Sequence, residues 1–159
     1  MSSSILATVD PARGRVDART RDGHPIAMDA DPPHGSSSAA DPKDALLAAP
    51  AGCTAMDVAA ILRKKRQRAS TYEIAVSADS AEEHPRMFTA ITVEHVVSGE
   101  VQPEALRRSI ELSSTRYCPV NAMLSKSVTI EHRYRLTDAG GVETQALVSV
   151  VGPDGSRVL

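Results

Sequence analysis

The sequence lacks tryptophan and has only one phenylalanine and three tyrosines, so aromatic residues make up 3% of its 159 residues. Hydrophobic residues still account for 42%, and the core must therefore be built from Ala, Val, Ile, Leu and Met. Aliphatic side chains bury less area per residue than aromatic ones, which favours oligomerisation as a supplement to the core. The chain length predicts a single domain, residues 1–159.

An excess of charge of one sign is also absent, because 18 Lys and Arg residues face 20 Asp and Glu residues. A formal net charge of −2 supplies no attraction to nucleic acid. The first residues contain no basic segment followed by a long apolar run, so they predict no secretory signal. The alanine-rich stretch 45–62 is interrupted by Pro50 and Asp57, which argues against a membrane segment. We therefore expect a cytoplasmic protein that binds neither nucleic acid nor a membrane.

Cysteine is scarce, since the chain contains only Cys53 and Cys118, each in an apolar setting. A buried cysteine can be an ordinary core residue. In the cytosol, however, stable disulfides are uncommon, and paired thiols are more often catalytic or metal-binding. We interpret the two cysteines as a redox couple, with core filling as the alternative.

Histidine offers little support for a metal site. None of the five histidines lies at a short ligand spacing from another histidine or from a cysteine, so no metal or other cofactor is expected. These histidines are His24, His34, His84, His95 and His132.

The first forty residues predict short strands at 5–9 and 25–28, with a turn at 21–24. A segment rich in Pro, Gly and Ser, 31–41, predicts a flexible loop, and residues 1–22 are harder to assign. A helix is predicted to begin with Asp41 as its N-cap and to end near Arg68.

The remainder of the chain alternates between periods typical of strands and of helices. It predicts strands at 72–76, 88–97, 127–136 and 142–151, and a second helix at 103–116. Strands, a long helix, two strands, a helix and two more strands indicate an α+β fold with the helices on one face of the sheet.

Four segments carry a specific pattern, and they are PKDALLAAPAGCTAMDV (42–58), ILRKKR (61–66), EHPRMFT (83–89) and YCPV (117–120). Together they resemble the OsmC/Ohr family, in particular its OsmC-like branch of thiol-dependent redox proteins, over residues 23–134. The resemblance implies an OsmC-like fold of antiparallel-rich sheets with a long central helix and a second helix, assembled as an intertwined homodimer. It also implies an organic hydroperoxide reductase with its active sites at the subunit interface.

The resemblance implies a role for each site residue. Cys53 would be the peroxidatic cysteine and Cys118 the resolving cysteine. A carboxylate near the start of the long helix orients an arginine in this family, and it falls on Asp44. Arg13, Arg15, Arg19 and Arg21 would share one face of an unbroken strand. Because the family places its arginine well upstream of the turn at residues 22 and 23, the resemblance favours Arg13 or Arg15. Alternatively, these arginines are solvated charges on an edge strand.

The chemistry asks for the same groups. The attacking species is the thiolate, so Cys53 needs a nearby cation or a helix amino terminus. A helix that restarts at Pro50 would place Cys53 in its first turn. The resulting sulfenic acid would condense with Cys118, and an external dithiol would reopen the disulfide.

Apolar surroundings favour an alkyl or lipid hydroperoxide over hydrogen peroxide as the substrate. The alternative, from a different functional class, is a dimeric binding or structural protein that keeps the fold and has lost or weakened peroxidase activity.

Overall fold

The computed structural model describes residues 2–159, which form two compact units. The first unit extends to Leu46, and the second runs from Leu47 to Leu159. Each unit contains its own β-sheet, of three strands in the first and five in the second. The expectation of a single domain over 1–159 stays a prediction.

The first unit is a three-stranded antiparallel sheet in the order β1-β2-β3. Its strands are β1 (Ile5–Val9), β2 (Val16–Thr20) and β3 (Pro25–Met28). The strands predicted at 5–9 and 25–28 are confirmed, and β2 is additional to them.

The unbroken strand that would align four arginines on one face is wrong. The carbonyl oxygen of Asp10 accepts hydrogen bonds from the amides of Arg13 and Gly14, and Gly14 has a φ of 73°. Glycine tolerates this positive φ because it has no Cβ. Arg13 therefore lies in a turn and Arg15 directly precedes β2, so that Arg19 is the only one of the four within a strand.

The predicted loop at 31–41 is tied to Asp29, a buried carboxylate directly after β3. Asp29 Oδ2 accepts hydrogen bonds from the hydroxyl groups of Ser38 at 2.7 Å and Ser36 at 2.8 Å. The hydrogen bonds from Ser38, followed by those from Ser36, hold the pKa of the Asp29 carboxyl well below its usual range. An ionised carboxylate thus organises a segment that has no helix or strand of its own.

A long helix, α1 (Pro42–Lys64), follows this loop. Asp41 Oδ1 accepts a hydrogen bond from the Lys43 amide at 2.7 Å, and Pro42 occupies the first helical position. The predicted start of the helix is confirmed, because a capping carboxylate satisfies an amide that has no partner within the helix.

The helix ends at Lys64, earlier than the predicted end near Arg68. Arg66 adopts a left-handed φ of 56°, and the Gln67 amide donates back to the carbonyl of Leu62 at 3.0 Å. This arrangement satisfies a terminal carbonyl and turns the chain out of the helix. The basic residues at 63–66 therefore straddle the helix end.

The second unit is a five-stranded sheet in the order β4-β5-β6-β7-β8. Its strands are β4 (Arg68–Ser80), β5 (Phe88–Glu100), β6 (Thr129–Asp138), β7 (Glu143–Gly152) and β8 (Gly155–Val158). All neighbours are antiparallel except β5 and β6, which are parallel. All four strands predicted for this part of the chain are present, β4 is longer than predicted, and β8 is additional.

Parallel neighbours require a crossover connection, and the chain between β5 and β6 supplies one. It contains α2 (Pro103–Leu112), a π-helical turn (Ser113–Tyr117) and α3 (Pro119–Leu124). The helix predicted at 103–116 therefore changes to π-helical geometry after Leu112, and α3 is additional. Cys118 lies between the π-helical turn and α3.

The core of the second unit is aliphatic, as the scarcity of aromatic residues predicts. Its largest cluster joins side chains of α1, α2 and the sheet, among them Val58, Leu62, Leu106, Ile110, Val97, Leu136 and Val148. Both helices thus pack on the same face of the sheet. This arrangement confirms the predicted α+β class.

One helix among the described residues, α1, is long and apolar enough to cross a membrane by length and composition alone, with a mean hydropathy of 1.7. Pro50 and Asp57 do not interrupt it, so that part of the argument against a membrane segment is wrong. Core helices of soluble proteins meet the same criterion, and Val58 and Leu62 of α1 are buried in the core of the second unit.

Candidate active site

Two sulfur atoms and one carboxylate meet in the second unit. The Sγ atoms of Cys53 and Cys118 and a carboxylate oxygen of Asp57 all lie within 4.8 Å of one another. Cys53 is partly buried, Cys118 is 2% exposed, and both are free thiols. We call these three residues the thiol–carboxylate cluster.

Cys53 and Asp57 lie one turn apart on α1, and this spacing places both side chains on one face of the helix. The predicted helix restart at Pro50 is wrong, since α1 continues through this residue and Cys53 lies in its middle. An internal proline removes one backbone hydrogen bond and crowds the preceding turn, yet α1 remains helical here, and Thr54 Oγ1 donates to the Pro50 carbonyl at 2.8 Å. The amino end of α1 therefore does not act on Cys53.

Cys118 reaches the cluster from the crossover. Its backbone is extended, with φ −73° and ψ 107°, between the π-helical turn and α3. The Cys118 amide donates to the Ser113 carbonyl at 3.0 Å, which closes the wider π-helical turn. Pro119 then begins α3, because its fixed φ suits a first helical position. These features fix the Cys118 backbone between the π-helical turn and α3.

Hydrogen bonds hold the members of the cluster. Ser113 Oγ donates to Asp57 Oδ2 at 3.0 Å, and the backbone amide of Asn121 donates to Cys118 Sγ at 3.3 Å. Burial, followed by a hydrogen bond with Cys53, raises the pKa of the Cys118 thiol well above its ordinary value, and the Asn121 amide opposes this only in part. Cys118 therefore remains a protonated thiol near neutral pH.

A buried polar network supports Asn121. Asn121 Nδ2 donates to the Ser114 carbonyl at 2.5 Å, and Asn121 Oδ1 lies 2.9 Å from His132 Nε2. An amide oxygen only accepts, so His132 Nε2 carries the proton. The His132 ring stacks on that of His95 at a centroid distance of 6.1 Å, and His95 Nδ1 lies 2.7 Å from the Tyr72 hydroxyl.

Both histidine rings are fully buried. Burial lowers the pKa of His132 to about 4, and burial together with the neighbouring His132 lowers that of His95 to about 3. His95 Nε2 and His132 Nδ1 have no hydrogen-bond partner among the described residues. Both rings are neutral at physiological pH, and a proton on either one would be costly.

The remaining predicted site residues belong to the first unit. Arg15 donates to Asp17 through Nε and Nη2, at 3.1 and 2.9 Å, and to Ser38 Oγ at 2.6 Å. Arg13 is 77% exposed and approaches Asp10 at 4.0 Å. Asp44 is an exposed residue in the first turn of α1. Arg15 is therefore held firmly in its own unit, whereas Arg13 is not.

Several residues around the sulfurs are not among the predicted site residues. Asp57 has a visible signal, because a carboxylate four residues after a cysteine shares its helical face. Ser113, Asn121 and His132 have no comparable signal, since the crossover and the parallel pairing of β5 and β6 bring them together. Sequence spacing does not report such contacts.

Comparisons with known proteins find a matching family model and a similar curated protein. A family model described as OsmC-like protein matches residues 34–133. Protein YhfA of Escherichia coli (strain K12) is 37% identical over 118 residues, which cover 74% of this chain and 86% of YhfA.

Two solved structures show the same fold. An OsmC-like protein from Mycoplasma pneumoniae is 18% identical, with a TM-score of 0.74, over 86% of this chain and 97% of that chain. The organic hydroperoxide resistance protein OhrB of Bacillus subtilis is 15% identical, with a TM-score of 0.58, over 84% of this chain and 98% of that chain. These similarities confirm the predicted OsmC-like fold.

Proposed function

This chain belongs to the OsmC-like protein family, and from that premise we propose that it is a thiol-dependent peroxidase that reduces organic hydroperoxides. The observation that carries the proposal is the approach of the Cys53 and Cys118 sulfurs to within 4.8 Å. Sulfurs this close can form a disulfide after small movements. The description of OhrB as an organic hydroperoxide resistance protein supports the substrate class.

The proposed reaction has three steps. The Cys53 thiolate attacks the distal peroxide oxygen, the O–O bond breaks, and the alcohol leaves with one proton, which gives a sulfenic acid at Cys53. The Cys118 sulfur then displaces the sulfenic oxygen as water, and a disulfide forms. An external dithiol reduces this disulfide and returns two thiols.

The assignment of the two roles follows from exposure and protonation. Cys53 is the more exposed sulfur, which a bulky hydroperoxide can reach, whereas Cys118 is 2% exposed. Burial also keeps Cys118 as a thiol, a poor nucleophile toward peroxide. Cys118 is therefore suited to the resolving step, in which its partner sulfur is already adjacent.

The test is peroxide consumption by the purified, reduced protein with dithiothreitol. We expect cumene or tert-butyl hydroperoxide to be consumed faster than hydrogen peroxide, and one equivalent of hydroperoxide to convert both thiols to a disulfide in the absence of reductant. The disulfide is read as the loss of two hydrogens by mass spectrometry. A reduced protein that leaves both hydroperoxides intact would reject the proposal.

Arg13 or Arg15 enters this proposal as the cation that promotes ionisation of Cys53, and Asp44 as the carboxylate that orients this arginine. Arg15 is the better candidate of the two arginines, because Asp17 and Ser38 already fix its guanidinium. A fixed cation loses less side-chain entropy than a mobile one when it binds an anion. Arg15→Ala, Arg13→Ala and Asp44→Asn belong in the same assay.

Assembly as a homodimer is part of the proposal. Large apolar side chains are exposed in both units, among them Leu6 at 79% in β1 and Met56 at 75% in α1. Exposed apolar surface of this kind often marks an interface between chains. We also propose a cytoplasmic location, where dithiol reductants are available, and membership of this family favours a soluble protein.

Light scattering tests the assembly. We expect a mass of twice the 16.8 kDa chain at micromolar concentration, and an interface that buries more than about 2,000 Å² in total. Leu6→Glu and Met56→Glu should weaken the dimer if these side chains lie in it, whereas Glu143→Gln, at an exposed residue of β7, should not. A stable monomer of the wild-type chain would contradict the proposal.

A dimeric binding protein without peroxidase activity is the second candidate. Asp57 favours it, because a carboxylate close to two sulfurs repels thiolate charge and so opposes attack on peroxide. A folded dimer that fails the peroxide assay would support this alternative.

A further inference from the structure

The peroxidase scheme gives no role to Asp57. It would leave a carboxylate close to the Cys53 sulfur, which must carry negative charge when it attacks the peroxide. A carboxylate and a thiolate this close are unfavourable together unless a cation joins them. The thiol–carboxylate cluster therefore requires an explanation beyond redox chemistry.

We propose that the reduced thiol–carboxylate cluster binds Zn²⁺ through Cys53 Sγ, Cys118 Sγ and an Asp57 carboxylate oxygen, with water as the fourth ligand. This site goes beyond the proposed peroxidase. The donor set fits zinc, since thiolates select zinc over the hard cations calcium and magnesium, and a single carboxylate is a common companion ligand.

The geometry of the three donor atoms fits one ion. In a tetrahedral site, zinc–sulfur bonds of about 2.3 Å and zinc–oxygen bonds of about 2.1 Å place the donors about 3.5–3.8 Å apart. The three donor atoms already lie within 4.8 Å of one another. Side-chain movements of about 1 Å or less would complete the site.

The backbone presents the ligands as a metal site requires. Cys53 and Asp57 are four residues apart on α1, a spacing by which one helix offers two ligands to one ion. Cys118 approaches from the extended residue between the π-helical turn and α3. Two ligands from one helix and a third from a separate element form a pocket with one open position.

Residues that donate hydrogen bonds to the ligand atoms also fit a metal site. Ser113 Oγ donates to Asp57 Oδ2 and so orients the carboxylate, while the Asn121 amide donates to Cys118 Sγ and stabilises negative charge on it. Hydrogen bonds to the ligating atoms are a general feature of protein metal sites. Here both hydrogen bonds are present.

Zinc and peroxide compete in this arrangement. A metal-bound sulfur has its lone pair engaged, and a Cys53–Cys118 disulfide offers no thiolate, so the protein binds zinc only when reduced. Zinc would protect the thiols from oxidation and inhibit peroxide reduction.

The experiment is an anaerobic titration of the reduced, full-length, metal-free protein. Co²⁺ is the spectroscopic probe, because thiolate ligands give a charge-transfer absorption in the near ultraviolet. Zn²⁺ affinity is measured by competition with a chromophoric chelator. We expect one ion per chain and no binding by the disulfide form. Cys53→Ser and Cys118→Ser should each lower the cobalt–thiolate absorption by at least half, because each removes one of the two sulfur ligands.

Variants of Asp57 and Ser113 test the remaining features. Asp57→Asn should weaken zinc binding at least about 10-fold, and Ser113→Ala about 10-fold through the orientation of Asp57. Asp154→Asn, at an exposed carboxylate of the same unit, is the control and should bind as the wild type does. Circular dichroism confirms that each variant is folded, and Ser113→Ala serves if Asp57→Asn does not fold.

Three results would overturn the proposal. They are the absence of a cobalt–thiolate absorption in the reduced wild type, wild-type affinity in Asp57→Asn, and zinc binding by the disulfide form. No peroxide is used in these measurements. A protein that binds zinc and leaves hydroperoxides intact would reject the peroxidase alone, and a peroxidase without zinc affinity would reject the zinc site alone.

Discussion

Cys53→Ser is expected to lower hydroperoxide consumption at least about 10³-fold, to the rate without protein, because the loss of a nucleophile has effects of this size or larger. No other group in the thiol–carboxylate cluster can replace it. Cys118 is 2% exposed and remains protonated, and Asp57 is not a nucleophile toward peroxide. The measurement is the initial rate of tert-butyl hydroperoxide loss with dithiothreitol in excess.

Cys118→Ser is the matched variant, since it also replaces a sulfur atom of the thiol–carboxylate cluster by oxygen. Without dithiothreitol it should complete one rapid turnover, after which Cys53 accumulates as a sulfenic acid that a 1,3-dione traps. If Cys118→Ser were inactive and Cys53→Ser active, the two roles would be reversed. Full activity in both variants would show that neither sulfur is the nucleophile.

The fold is largely predictable from local patterns. Alternation gives β4, β5, β6 and β7, and Asp41 with Pro42 gives the start of α1. The elements without a prediction are β2, α3 and β8, which have only four to six residues and so carry little periodic signal. β1 and β3 are equally short, but they are mostly apolar, whereas charged and polar residues interrupt β2 and β8. The left-handed conformation of Arg66 sets the end of α1. Arginine rarely adopts this conformation, so the sequence gives no sign of it.

The site is predictable only in part. The two cysteines stand out in the sequence, yet their contact depends on the crossover that brings Cys118 to α1. Pro50 gives a clear signal in the sequence that the structure does not follow. Its helix-breaking tendency is strong in isolation, but the packing of α1 overrides it. Packing also brings His95 and His132, far apart in sequence, into one stack on neighbouring strands.

That stack leads to a second large effect, a loss of stability in mild acid. Both imidazoles are neutral in the folded protein, with pKa values lowered to about 3 for His95 and about 4 for His132. In the unfolded chain each binds a proton near pH 6.5. Between these values the unfolded state holds more protons, so the free energy of unfolding falls as the pH falls.

The size of this effect follows from the two histidines together. Each contributes up to about 1.4 kcal/mol per pH unit below its unfolded pKa, so the pair should cost about 4 kcal/mol between about pH 8 and about pH 5. That is a large part of the stability of an ordinary domain. Urea unfolding at fixed protein concentration, at about pH 8 and about pH 5, measures it.

His132→Gln removes one titrating group and keeps a side chain that can donate a hydrogen bond to Asn121 Oδ1. Its stability at pH 8 can fall, but the loss between pH 8 and pH 5 should be about half that of the wild type, because only His95 still titrates. His84→Gln, at an exposed histidine of the same unit, should keep the full loss. If His132→Gln lost as much stability between pH 8 and pH 5 as the wild type does, burial would not hold the His132 imidazole neutral.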